Sequence, residues 1–196
     1  FKKNRNFKSS NEFKVLKKIP RNNFKICCVA RHVNQKSLDF LIISFSKYLS
    51  ENNKSNLILV GSGPETNNLM KLAKKLNISR KIIWIKFSEN VRDIIEFSDT
   101  FILTSEYEGL GLVLLEAMAA NKPIIASNTS AIPEVIKHNF NGFLIKHLNK
   151  KDLVQKLKLI QNKNIRNKFI LNSKTVLHKK FNLKIMINKT QKYYYE

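Results

Sequence analysis

Six short apolar runs punctuate the chain: KICCVA (25–30), NLILVG (56–61), KIIWIK (81–86), TFILTS (100–105), PIIAS (123–127) and GFLIK (142–146). Each is nearly continuous in apolar residues, the pattern of parallel strands buried on both faces rather than the alternation of a half-solvated sheet. Between them lie segments of helical character. SLDFLIISFSKYLSEN and ETNNLMKLAKKLN carry apolar residues at i, i+3, i+4 spacing, and NVRDIIEFS, GLVLLEAMAAN and IPEVIKHN follow. In the last of these Pro133 stands second, where a helix tolerates proline. Strict alternation of strand and helix demands crossover connections. The expected fold is therefore α/β, a Rossmann-like doubly wound parallel sheet of about six strands. A polar lead rich in Lys and Asn precedes the first strand. From residue 149 the chain reads as helical and basic, with Phe181, Ile185, Met186 and Tyr193 expected on one apolar face.

At 196 residues and 43% hydrophobic content, the chain suffices for one well-buried domain and is short for two. No run approaches the roughly 20 apolar residues that cross a bilayer, and the first residues lack the apolar core of a signal peptide. The sequence opens without an initiator Met, so an excerpt of a longer protein is expected. Cys27 and Cys28 are adjacent. Neighbours in a strand point to opposite faces, which makes them poor disulfide partners and gives no metal-ligand spacing. Small core residues of a reducing compartment are expected instead.

The net charge of +22 is open to two readings. One is drift in composition, since Lys, Asn and Ile are enriched throughout. The other is attraction to an anionic membrane surface. Nucleic acid is not the expected partner, because the lysines are spread along the chain without an arginine-rich cluster or interleaved aromatics.

In a doubly wound sheet the ligand lies beyond the carboxyl ends of the strands. Three loops there carry candidate chemistry. After the first strand come Arg31 and Lys36, a fork and a point charge that suit a diphosphate; two solvated cations are the plain alternative. After the second comes LVGSGPE, whose Gly61 and Gly63 either let a ligand approach the backbone or simply make a tight turn. After the fourth comes SEYEGLGLVLLE. There Gly109 and Gly111 leave the backbone N–H groups of residues 109–113, including those of Leu110, Leu112 and Val113, free to point outward at a helix start. Glu108 precedes this anion site and can accept sugar hydroxyls. Glu116 interrupts an otherwise apolar helix, and a buried carboxylate needs donors; the diol of a ribose supplies two, a nearby Lys would be the alternative.

Taken together these residues carry a family resemblance. Glu108 and Glu116, seven residues between them, match the E-x7-E signature of retaining glycosyltransferases of family 4. EGLGLVLLEAMAANKPIIAS, then AIPEVI and NGFL, resembles the donor-binding domain of that family closely, and VAR…QK and LVGSGP fall where the family places further donor contacts. The resemblance spans roughly residues 25–196. It departs at Lys86-Phe87, where members often have Gly after the third strand, and at residues 128–131, where they often have a Gly-rich turn.

The resemblance implies one half of a GT-B fold, the C-terminal donor-binding half. Residues 1–24 would be the remnant of an inter-domain link, 25–180 the nucleotide-sugar domain, and 181–196 a helix that packs on an N-terminal acceptor domain absent from this chain. By analogy, Arg31 and Lys36 bind the diphosphate and stabilise the departing nucleotide. Amides near Gly111, Leu112 and Val113 share that charge, with Gly61, Gly63, Gly109 and Leu110 around the donor. Glu108 holds the sugar and Glu116 the ribose. The implied reaction moves a sugar, with retention, from a UDP- or GDP-type donor to a glycan or lipid-linked acceptor. It uses no metal and no cofactor. The chain alone would turn over little. The implied setting is the cytoplasm, at the inner face of the membrane. Two alternatives stand: a nucleotide-sugar epimerase on the same fold, and a non-catalytic module that binds nucleotide or polyanion.

Overall fold

The computed structural model describes residues 6–182 together with Ile187, Thr190, Gln191 and Tyr194. Ile185, Met186 and Tyr193, needed for the expected apolar face of the C-terminal segment, lie outside the described residues. The strands are β1 (Phe24–Val29), β2 (Ser55–Val60), β3 (Ile82–Ile85), β4 (Thr100–Leu103), β5 (Ile124–Ser127) and β6 (Phe143–Ile145). All neighbouring pairs are parallel, with Cys27 opposite Ile58 and Phe101, and Ile125 opposite Phe143. The six-stranded order is β3-β2-β1-β4-β5-β6. The chain first winds outward from β1 to β3 and then from β4 to β6, so the winding reverses between β1 and β4. A crevice opens there at the carboxyl ends.

The helices are α1 (Asn11–Leu16), α2 (Leu38–Leu49), α3 (Thr66–Lys75), α4 (Val91–Phe97), α5 (Leu112–Ala119), α6 (Ile132–Val135), α7 (Lys150–Leu159) and α8 (Lys163–Lys180). Two apolar layers result. On one face Phe40, Phe45 and Tyr48 of α2, Leu69 of α3 and Leu153 of α7 cover the sheet. On the other, Leu16 of α1, Ile94 of α4, Leu114 and Met118 of α5 and Val135 of α6 do so. Cys28 belongs to the first layer and Cys27 to the second, as strand alternation requires. Both thiols are free and fully buried, and burial pushes the Cys28 thiol up to about 12.

The polar lead has structure of its own. The Ser10 side chain accepts the Phe13 N–H and starts α1. Phe7, Leu16 and Ile19 are buried against the second layer. The Ser88 hydroxyl donates to Glu12 at 2.6 Å, tying α1 to the loop after β3. Helix α6 is shorter than the sequence pattern suggests: it stops at Val135, and Ile136 is already extended. No helix among the described residues is long and apolar enough to cross a membrane.

Candidate functional site

At the point where the winding reverses, the loop after β1 and the loop after β4 are stitched together. The Glu106 N–H donates to the Gln35 carbonyl at 2.8 Å, and Gln35 Nε2 donates to the Tyr107 carbonyl at 2.8 Å. The Thr104 hydroxyl donates to the Lys36 carbonyl at 3.0 Å. Lys36 closes a short turn ended by Ser37 in the left-handed region, φ +47°. Its ammonium lies 2.6 Å from Glu108 Oε1, and the Ser105 hydroxyl donates to the same oxygen at 2.7 Å. Lys36 and Glu108, 72 positions apart in sequence, therefore meet where the winding reverses.

The backbone of Glu108 is clamped from a third loop. Its N–H donates to Ser130 Oγ at 2.8 Å, and the Ser130 hydroxyl donates back to the Glu108 carbonyl at 3.0 Å. The Thr129 hydroxyl donates to the Ser105 carbonyl at 2.9 Å. Sequence reasoning missed both Thr129 and Ser130. Their only signal was a polar segment, residues 128–131, in place of a glycine-rich turn.

Gly111 caps α5 in the left-handed conformation, φ +66°. Among the described residues, no protein acceptor meets the backbone N–H groups of residues 109–113. Those of Leu112 and Val113 are orphan donors of the α5 start, at its positive end, and those of 109–111 lie in the loop that leads to it from Glu108. Gly109 is open: a Cβ there would meet nothing within 4 Å. Glu116 sits in α5, half-buried. Burial raises its pKa above the usual carboxylate value.

Gly61 and Gly63 answer to a different demand. A Cβ on Gly61 would lie 2.0 Å from the Ala30 carbonyl oxygen, and one on Gly63 would lie 2.3 Å from that of His32. These glycines let two loops of the chain itself touch. His32 braces the contact. The Thr66 hydroxyl accepts the Gly63 N–H at 3.0 Å and lies 2.8 Å from the Gly63 carbonyl and 2.9 Å from His32 Nδ1, linking the two loops. Burial lowers the His32 pKa by disfavouring the charged ring.

Arg31 is exposed at the end of β1, and no ion-pair partner meets it among the described residues. With Gly61, Ser62, Lys86 and Phe87 it lines a pocket of about 400 Å³ over the carboxyl ends of β1–β3. The Phe87 side chain is 84% exposed at this rim. The structure thus joins Lys36 to Glu108 directly and places Arg31 with Gly61 in a neighbouring pocket. Among the described residues no cluster of three or more His, Cys, Asp or Glu side chains could hold a metal ion.

A six-stranded parallel sheet in this order, with helices on both faces, makes a Rossmann-like α/β domain matching one half of the GT-B fold. A crystal structure of an Anabaena protein in complex with UDP and glucose superposes with a TM-score of 0.82 over 93% of this chain and 52% of its own, at 19% identity. The chain belongs to the family of glycosyl transferases group 1, whose model matches residues 9–176. It is 32% identical over 165 residues to the Escherichia coli UDP-Gal:alpha-D-GlcNAc-diphosphoundecaprenol alpha-1,3-galactosyltransferase, covering 78% of this chain and 42% of that one. The crystal structure of the C-terminal domain of a group 1 glycosyl transferase from Francisella tularensis matches with a TM-score of 0.77 and 25% identity, covering 93% of this chain and 96% of that domain. The chain spans less than half the length of the curated relatives it matches, 28% to 48% of each.

Proposed function

We propose that this chain is the C-terminal, donor-binding half of a retaining glycosyltransferase of family 4, moving a sugar from a nucleotide-diphosphate donor to a glycan or lipid-linked acceptor. The observation that carries the reading is the set of unpartnered N–H groups at residues 109–113, beside the Lys36–Glu108 pair. Such a set suits negative charge that grows on a leaving diphosphate. The Francisella domain, matched over nearly its whole length, supports the C-terminal placement. The E. coli relative, named for a UDP-linked donor and a lipid-diphosphate acceptor, supports UDP over GDP.

In this reading Arg31 and Lys36 hold the diphosphate, and the amides around Gly111, Leu112 and Val113 take part of its charge. Glu108 accepts hydroxyls of the sugar. Glu116 accepts those of the ribose, whose two donors offset the burial that raises its pKa. The C1–phosphate bond breaks as the acceptor oxygen bonds to C1 on the same face. The departing phosphate oxygen takes the acceptor's proton, so retention needs no metal. Gly61, Gly63, Gly109 and Leu110 shape the surrounding wall. The acceptor is held by a second, N-terminal domain, so this chain alone turns over little.

The test is calorimetric titration of the chain with UDP and GDP. Selective binding of UDP, lost in Glu116→Ala and in Arg31→Ala, supports the assignment. Undiminished UDP affinity in Glu116→Ala defeats the ribose role. Salt-sensitive binding with no choice between nucleotides favours the polyanion module instead, and interconversion of UDP-sugars favours the epimerase.

A second proposal concerns setting: the protein works in the cytoplasm against an anionic membrane. The cations run along the whole chain, but the acids do not. Helix α8 carries Lys163, Arg166, Lys168, Lys174, Lys179 and Lys180 and no acid. Sedimentation with phosphatidylglycerol vesicles but not with phosphatidylcholine vesicles is the expected result. Equal sedimentation with both would remove the proposal.

A further inference from the structure

The site as it stands holds its own counter-ion. The Lys36 and Glu108 side chains are only 18% and 12% exposed, and their charged atoms meet at 2.6 Å. Both ends are fixed from behind: Thr104 bonds to the Lys36 carbonyl, and Ser130 clamps both backbone polar groups of Glu108. Neither backbone can therefore drift to ease the separation of the pair. A phosphate that draws the Lys36 ammonium to itself strips Glu108 of its cation. The carboxylate, shielded from water, is then left with the Ser105 hydroxyl as its one described side-chain donor. A charged acceptor in that state is costly unless new donors arrive.

We infer that the Lys36–Glu108 pair is an exchange contact that weakens binding of the free nucleoside diphosphate and is made good only when sugar hydroxyls reach Glu108. This inference rests on the donor-site reading above and adds a consequence to it. Intact donor brings a phosphate for Lys36 and hydroxyls for Glu108, so both partners of the broken pair are satisfied. Spent nucleotide brings only the phosphate. Once the sugar has left, Glu108 loses its hydroxyls and takes Lys36 back, which hastens departure of the product.

The sign of the predicted effect is unusual for a binding-site variant. Glu108→Gln keeps a carbonyl oxygen for hydroxyl donors but cannot hold an ammonium, so Lys36 is released in advance. Affinity for UDP should rise by about tenfold, and the preference for UDP-sugar over UDP should shrink by a similar factor. Lys36→Gln should weaken UDP and UDP-sugar together and leave their ratio intact.

The measurement is calorimetric titration of the 196-residue chain and both variants with UDP, UDP-glucose, UDP-galactose and UDP-N-acetylglucosamine. Should Glu108→Gln fail to fold, Glu108→Asp, which withdraws the carboxylate from Lys36 by one methylene, should move UDP affinity in the same direction. If wild-type chain binds these nucleotides and both Glu108 variants bind UDP no better, the exchange inference is overturned while the donor site stands. If wild-type chain binds none of them, the donor-site reading itself has failed.

Discussion

Two turns of this protein are spelled alike, G-x-G between a strand and a helix, and the structure uses them for opposite ends. At residues 61–63 the glycines are imposed by the chain: side chains there would collide with the carbonyls of Ala30 and His32, at 2.0 and 2.3 Å. At residues 109–111 nothing of the kind exists. Gly109 faces open space, and Gly111 is demanded by a left-handed φ of +66° that turns the amides of α5 outward. One turn closes the protein on itself, and the other leaves N–H groups that no described protein acceptor meets. A glycine pair becomes a candidate ligand cradle only when its neighbours have been found and shown not to be the chain's own backbone.

The largest effect should separate the two turns at once. Gly63→Ala places a methyl among backbone atoms that cannot swing aside, so a loss of about 3 kcal/mol or more is expected in chemical denaturation. A variant as stable as the parent would mean that the two loops are not packed as described. Gly111→Ala should cost roughly 1 kcal/mol for the left-handed backbone, with Leu114 Cδ1 the nearest atom at 3.1 Å. Gly109→Ala should change stability by less than about 0.5 kcal/mol yet weaken UDP binding, because its methyl stands over the free amides. A Gly109→Ala protein that loses stability and keeps affinity would reverse the comparison.

The smallest effect is a pH dependence on the helix that the second turn begins. Burial lifts the Glu116 pKa above the ordinary 4.5, so the folded state holds this proton more tightly than the unfolded one. Ionising the group therefore costs stability. The penalty is complete above the raised folded value and absent below the ordinary one. Glu116→Gln should be the more stable protein at neutral pH, and its advantage should fade as pH falls through the carboxylate range. A constant difference at all pH values would show that the carboxylate is not strained.

The strands were legible because burial on both faces leaves no room for polar residues, and each of the six runs became a strand within two residues of its expected ends. The lead was less legible. Phe7, Leu16 and Ile19 are few among many lysines, and only their burial in the second apolar layer makes them core residues. Of the site, Glu108, Glu116 and the glycines between them could be read from spacing along one loop and helix. Thr129 and Ser130 could not, since a hydroxyl carries no sign of which carbonyl it will meet across two loops.

The sequence by itself determined the alternation of strand and helix, and with it a parallel sheet whose carboxyl ends must carry any ligand, because crossover connections leave no other arrangement. It also determined that two carboxylates and a glycine turn stand at one helix start. Only the tertiary structure decided that Lys36 is held by Glu108 and that Gly61 and Gly63 bring two loops of the chain into contact. Those facts depend on side chains and carbonyls brought within 3 Å across dozens of residues, and no local pattern records such a meeting.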